Sequence, residues 1–121
     1  MLTVNVDSGE IEALIKRLAE MGDDVKRWVA DEITYAALEM ESKAKQRCPV
    51  VTGRLRASIK SFVDRDTLSA VVGTNVEYAE KVEYGGISKT GKKTKKTPFL
   101  YPAYFEVSGK LLKRLKQQAN G

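Results

Sequence analysis

Histidine is absent from the 121-residue chain, and cysteine occurs once, at Cys48. The first absence removes the commonest general base and the commonest transition-metal ligand together. The second excludes an internal disulfide and a cysteine-rich zinc site. No apolar run approaches the roughly 18 residues of a membrane span. The opening decapeptide, MLTVNVDSGE, has no early basic residue and no cleavage-site pattern, so no export leader is expected. Without a histidine, Ser58, Ser61 and Cys48 lack the partner that usually activates a nucleophile. Asp64 and Asp66 could bind a metal, but they fall in a predicted hairpin turn, where aspartates serve the turn through side-chain-to-backbone bonds. The stretch GGISKTGKKT lacks phosphate-loop spacing, because Lys92-Lys93 follow Gly91 where Lys-Ser or Lys-Thr is required. No catalytic, metal or cofactor residue is assigned, and the chain reads as a non-enzyme.

What is present is a balanced composition, 42% hydrophobic and 31% charged, as in soluble globular proteins. The length suits one domain over residues 1–121. The formal charge is +5, with 21 basic and 16 acidic residues. Residues 85–97 hold Lys89, Lys92, Lys93, Lys95 and Lys96 and no acid. Those five lysines account for the whole excess, and the rest of the chain is neutral. Dense like charge with glycines and few apolar side chains predicts a flexible, extended basic loop.

Periodicity supplies the elements. Leu2, Val4 and Val6 alternate with polar residues, as in a short strand. Asp7 offers an N-cap, with Glu10 three residues on. Ile11, Leu14, Ile15, Leu18 and Met21 follow at helical spacing, and Gly22 ends that helix. A second helix, started by Asp23 or Asp24 and spanning about 24–47, carries Val25, Trp28, Val29, Ile33, Ala36, Met40 and Ala44 on one stripe. Trp28 reads as a core anchor. Pro49 stops this helix and pushes Cys48 out of helical geometry. Thr52-Gly53 forms a turn, and Thr52 can cap a short helical turn through Arg54 and Leu55. Ile59–Val63 and Leu68–Gly73 read as a hairpin. Thr74 or Asn75 caps a short helix reaching Tyr84. Pro98 to Ala103 is an extended or turning segment. A final helix from about Pro102 carries Ala103, Phe105, Val107, Leu111, Leu112 and Leu115. The expectation is an α+β fold: a small antiparallel sheet packed against one long helix, with shorter helices and a long basic loop.

Three segments in order carry a family resemblance: CPVVTGRLRASI (48–59), VVGTNVEYAEKVEYGG (71–86) and PFLYPAYFE (98–106). Together they resemble the head–tail connection and tail-completion proteins of long-tailed bacteriophages, the minor tail components. The resemblance covers about residues 5–115. The chain departs from the family pattern at Val51, where many relatives have Asp, and at Gly86, where many have Thr. The resemblance implies a structural assembly part found in the virion neck or tail, with phage neck and tail proteins as partners. It implies a homo-oligomeric ring in the particle, no cofactor and no membrane. Its motif residues, Thr52, Gly53, Arg54, Leu55, Tyr78, Glu83, Gly85, Pro98, Phe99 and Pro102, either lock the fold or form an interface. Glu83 could pair with Arg54 or Arg56. The five loop lysines could meet an acidic surface on a neighbouring ring, or the DNA in the channel without sequence readout. The alternative reading is a small basic nucleic-acid-binding module, for which no recognition motif is present.

Overall fold

The computed structural model describes residues 1–50, 53–87 and 90–120. Strand β1 is Leu2–Asn5, helix α1 Glu10–Ala19, helix α2 Asp23–Arg47 and the short helix α3 Arg54–Ser58. Strands β2 (Lys60–Asp64) and β3 (Ser69–Thr74) follow, then α4 (Ala79–Tyr84). Two-residue strands β4 (Gly86–Ile87) and β5 (Lys93–Thr94) precede α5 (Leu100–Asn120). The fold is α+β, as the residue pattern predicts.

The main sheet runs β1-β3-β2 and is antiparallel throughout. Leu2 pairs with Thr74 and Val4 with Val72; Phe62 pairs with Val71. Alternation then turns Leu2, Val4, Ala70 and Val72 inward and leaves Thr3, Asn5, Lys60 and Phe62 outward. The helices cover the inner face. In the β2–β3 turn, Asp64 Oδ1 accepts hydrogen bonds from the Asp66 and Thr67 amides at 3.0 and 3.2 Å. Those bonds hold the Asp64 carboxyl below its usual range. The aspartate therefore serves the turn.

Helix α2 is the expected long helix, and its stripe of Val29, Ile33, Ala36, Met40 and Ala44 is buried, joined by Ala30 and Ala37. Cys48 leaves the helix at φ −68°, ψ 128°. Burial pushes its thiol up, opposed by the Arg56 charge. Trp28 is only half-buried at the edge of the core. Its ring packs against the core from the margin.

Several expectations change. There are two long helices, not one: α5 is 21 residues long and lies antiparallel along α2. Ion pairs staple the seam, with Lys43 and Arg47 on Glu106, Lys110 on Glu39 and Arg114 on Glu32. Asp7 does not cap α1. Its carboxylate accepts the Ala70 amide at 3.0 Å, and α1 opens after Gly9, at φ 63°, without a side-chain cap. Helix α1 ends at Ala19, so Met21 is exposed, and Gly22 occupies the N-cap of α2. Thr74 does not cap α4 either; its hydroxyl accepts the Val76 amide in the preceding turn. Helix α5 begins at Leu100, so the segment expected to be extended through Ala103 is already helical. Phe105, one of the apolar residues of the final helix, is 67% exposed. The basic loop is not wholly irregular, since β4 and β5 pair in it, Gly86 with Thr94 and Ile87 with Lys93.

Candidate interaction site

Four of the motif residues, Glu83, Pro98, Phe99 and Pro102, meet at the start of α5. A helix leaves its first amide groups without intrahelical acceptors. Here Glu83, 3% exposed near the end of α4, supplies them. Its Oε1 accepts from the amides of Phe99 and Leu100 at 3.1 and 2.8 Å, and Oε2 accepts from Tyr101 at 3.2 Å. The next residue, Pro102, has no amide hydrogen, so nothing is left unserved there. A buried negative charge at a helix N-terminus also matches the helix dipole. Phe99 and Leu100 are fully buried, and Pro98 leads into them from the surface. Glu83 therefore pairs with neither Arg54 nor Arg56, contrary to expectation. Arg54 is engaged by Glu77 and Arg56 by the Cys48 carbonyl, while the three amides at the start of α5 have no intrahelical acceptor and take the carboxylate.

Arg54 takes Glu77 instead. Two parallel bonds of 2.9 and 2.8 Å join guanidinium to carboxylate, and the Arg54 guanidinium lies 5.6 Å from the Tyr78 ring centroid. The paired bonds raise the Arg54 pKa and hold Glu77 below the usual carboxylate range. Arg56 donates to the Cys48 carbonyl at 3.3 Å. Gly53 precedes α3 at φ 79°, a left-handed conformation that favours glycine. Leu55 is buried beneath α3. The Ser58 hydroxyl meets Thr74 at 2.5 Å, joining the first motif segment to the second. Gly73 is required by space: an added Cβ would lie 2.6 Å from the Thr3 methyl and against the Leu2 carbonyl. Thr52 and Lys89 lie outside the described residues.

Gly85, at φ 77°, turns the chain out of α4 and into the β4–β5 hairpin. The returning strand is tied back where the Thr97 amide donates to the Val82 carbonyl at 2.7 Å. Lys92, Lys93, Lys95 and Lys96 are all exposed on this projection. The hairpin is thus rooted at both ends on α4, and the Glu83 clamp lies directly below. Sequence reading named Glu83, Phe99 and Pro102 separately. The signal that could have joined them is the Phe-Leu-x-Pro pattern, three amide donors followed by a residue without one.

Among the described residues, no group of three or more His, Cys, Asp or Glu side chains is placed to hold a metal ion. No helix among them is long and apolar enough to cross a membrane. Over residues 12–85, more than half the chain, the sequence matches the HK97-gp10-like family, described as "Bacteriophage HK97-gp10, putative tail-component". The chain belongs to this family. It is a phage tail-related structural component and has its place in the virion. The match ends at Gly85, at the root of the hairpin, so the lysines and α5 lie beyond it. No curated protein and no solved structure matches the chain.

Proposed function

We propose that this chain is a subunit of the head–tail junction, in a neck or tail-completion ring, and works as one folded unit by docking onto neighbouring phage proteins. The observation that carries the reading is the Glu83 clamp. It fixes the root of a cationic projection to a rigid helical body through three backbone bonds. A projection rooted in this way presents Lys93, Lys95 and Lys96 at a defined place, where a partner can meet them. The family supplies the context, a structural component of phage tails. Copies of the chain meet side by side in the ring, and the lysines face acidic surfaces on an adjacent ring.

Cryo-electron microscopy of assembled particles tests the location, and a neck without this chain overturns it. Serine at positions 89, 92, 93, 95 and 96 tests the mechanism. The melting temperature should stay nearly unchanged and particle assembly should fail. Loss of the fold would make the lysines part of the core. The exposed lysines also suit phosphate, which favours the second reading of a nucleic-acid module. Five lysines on duplex DNA would give a salt slope near 4.5, the signature of non-specific channel contact. Tight, sequence-selective binding with little salt dependence would favour the second reading instead.

A further inference from the structure

Beside the cationic hairpin lies a strip of aromatic side chains, of which Tyr84 and Phe105 are exposed and Tyr101 and Tyr104 are half-buried against the core. Tyr84, at the end of α4, is 54% exposed, and Phe105 is 67% exposed. Tyr101 links them, its ring centroid 6.0 Å from Tyr84 and 6.3 Å from Phe105. Tyr104 packs edge-on to Phe105 at 5.4 Å, and its hydroxyl meets Ser8 at 2.6 Å. Ile87, in the first hairpin strand, is 66% exposed. Clustered exposed apolar side chains mark interaction surfaces.

The strip leads into a groove. Helical spacing puts Tyr101, Phe105, Gly109 and Leu112 along one side of α5. Between Phe105, Gly109 and Leu112 on α5 and Gly9 and Ile11 at the start of α1 there is a shallow depression of about 300 Å³. Gly109 lines it and is exposed. Glycine weakens a helix interior relative to alanine, and here an added Cβ would meet nothing within 4 Å. Among the described residues, no packing calls for glycine at this position. The missing side chain leaves room there for one approaching from outside.

We infer that the Tyr84–Tyr101–Phe105 strip and the Gly109 groove form the apolar centre of a protein-docking surface whose cationic rim is the lysine hairpin. The occupant is an acidic protein segment carrying a large apolar side chain that inserts over Gly109. Charge complementarity sets the acidic character. Lys93, Lys95 and Lys96 are exposed and form no ion pair among the described residues. The acids close by are otherwise engaged. Glu83 is clamped, Glu106 is held by Lys43 and Arg47, and Glu10, a solvent-exposed residue lining the groove, pairs with Lys116 at 3.4 Å; Glu80, on the exposed side of α4, also faces solvent. The apolar centre argues for protein over nucleic acid. Phosphate gives no reward for burying Phe105, and neighbouring rings inclined at 42°, 35° and 63° offer no common plane for stacked bases.

This surface deepens the docking reading and rests on it. The test uses the full chain with two labelled probes of equal length, poly-glutamate and a glutamate–tyrosine copolymer, followed by fluorescence anisotropy. The copolymer should bind about tenfold more tightly, the effect of a modest aromatic anchor. Phe105→Ala and Gly109→Gln should each bring that ratio close to one. Thermal melts serve as the fold control, and Gly109→Gln should melt no lower than the parent. Serine at the five lysines should weaken both probes alike. A ratio near one in the parent, or a ratio that survives both variants, overturns the aromatic surface. If poly-glutamate still binds in that case, the docking reading stands. Duplex DNA binding with neither polymer bound overturns both.

Discussion

Replacing Glu83 by glutamine tests the central interaction with little change of shape. The carboxylate offers two acceptor oxygens to three amides, two of them on fully buried residues. Glutamine offers one acceptor oxygen and one donor group. If the oxygen stays with Phe99 and Leu100, the side-chain NH2 faces the Tyr101 amide, donor against donor. If it turns over, two buried donors are left opposed. Leaving a buried donor unmet costs about 1–3 kcal/mol. Loss of the negative charge at a partly buried helix N-terminus adds about 0.5–2 kcal/mol. The expected loss is about 2–4 kcal/mol, and Glu83→Ala, which abandons all three amides, should exceed it. Urea unfolding at neutral pH reads this directly. With a slope of about 2 kcal/mol per molar, the midpoint should fall by about 1–2 M at unchanged slope. A shift within about 0.5 kcal/mol would mean that solvent serves these amides as well as the carboxylate does, and the clamp would not be what roots the hairpin.

Three further outcomes are expected. Gly73→Ala should destabilise by about 2 kcal/mol or more, because the new methyl meets the backbone of the neighbouring strand; chemical denaturation measures it. Trp28→Ala should cost about 1–3 kcal/mol, less than the 3–5 kcal/mol of a fully enclosed ring, since its side chain sits at the core's margin. A tyrosinate absorbance titration should show Tyr84 ionising late. Its hydrogen bond with Tyr101, then burial and nearby Glu83 and Glu80, push its pKa up to about 12. A raised pKa favours the neutral form in the folded state, so this contribution is complete below the ordinary value near 10 and is lost as pH climbs towards 12. Tyr101→Phe should bring the late ionisation back towards the ordinary range.

Local pattern determined more of this protein than its short motifs suggest. The apolar stripe of α2, the stop at Pro49, the alternation in β1 and the hairpin around Asp64 each depend on neighbours within a few residues. So does the concentration of net charge in one loop, which is a fact of composition. These features are written along the chain and survive into the fold with shifts of a residue or two at their ends.

Only the tertiary structure decided what the acids and aromatics do. Asp7 lies where a cap would lie, yet a strand 63 positions away offers it an amide. Glu83 had two arginines within reach on paper, but α5 brought three amides without intrahelical acceptors to it, and buried amide donors need an acceptor. Phe105 has the spacing of a core residue, and its exposure follows from which face of α5 meets α2. Periodicity marks the amphipathic face of a helix, but the rotation of that helix against its neighbours is set by packing and seam charges that no local window contains.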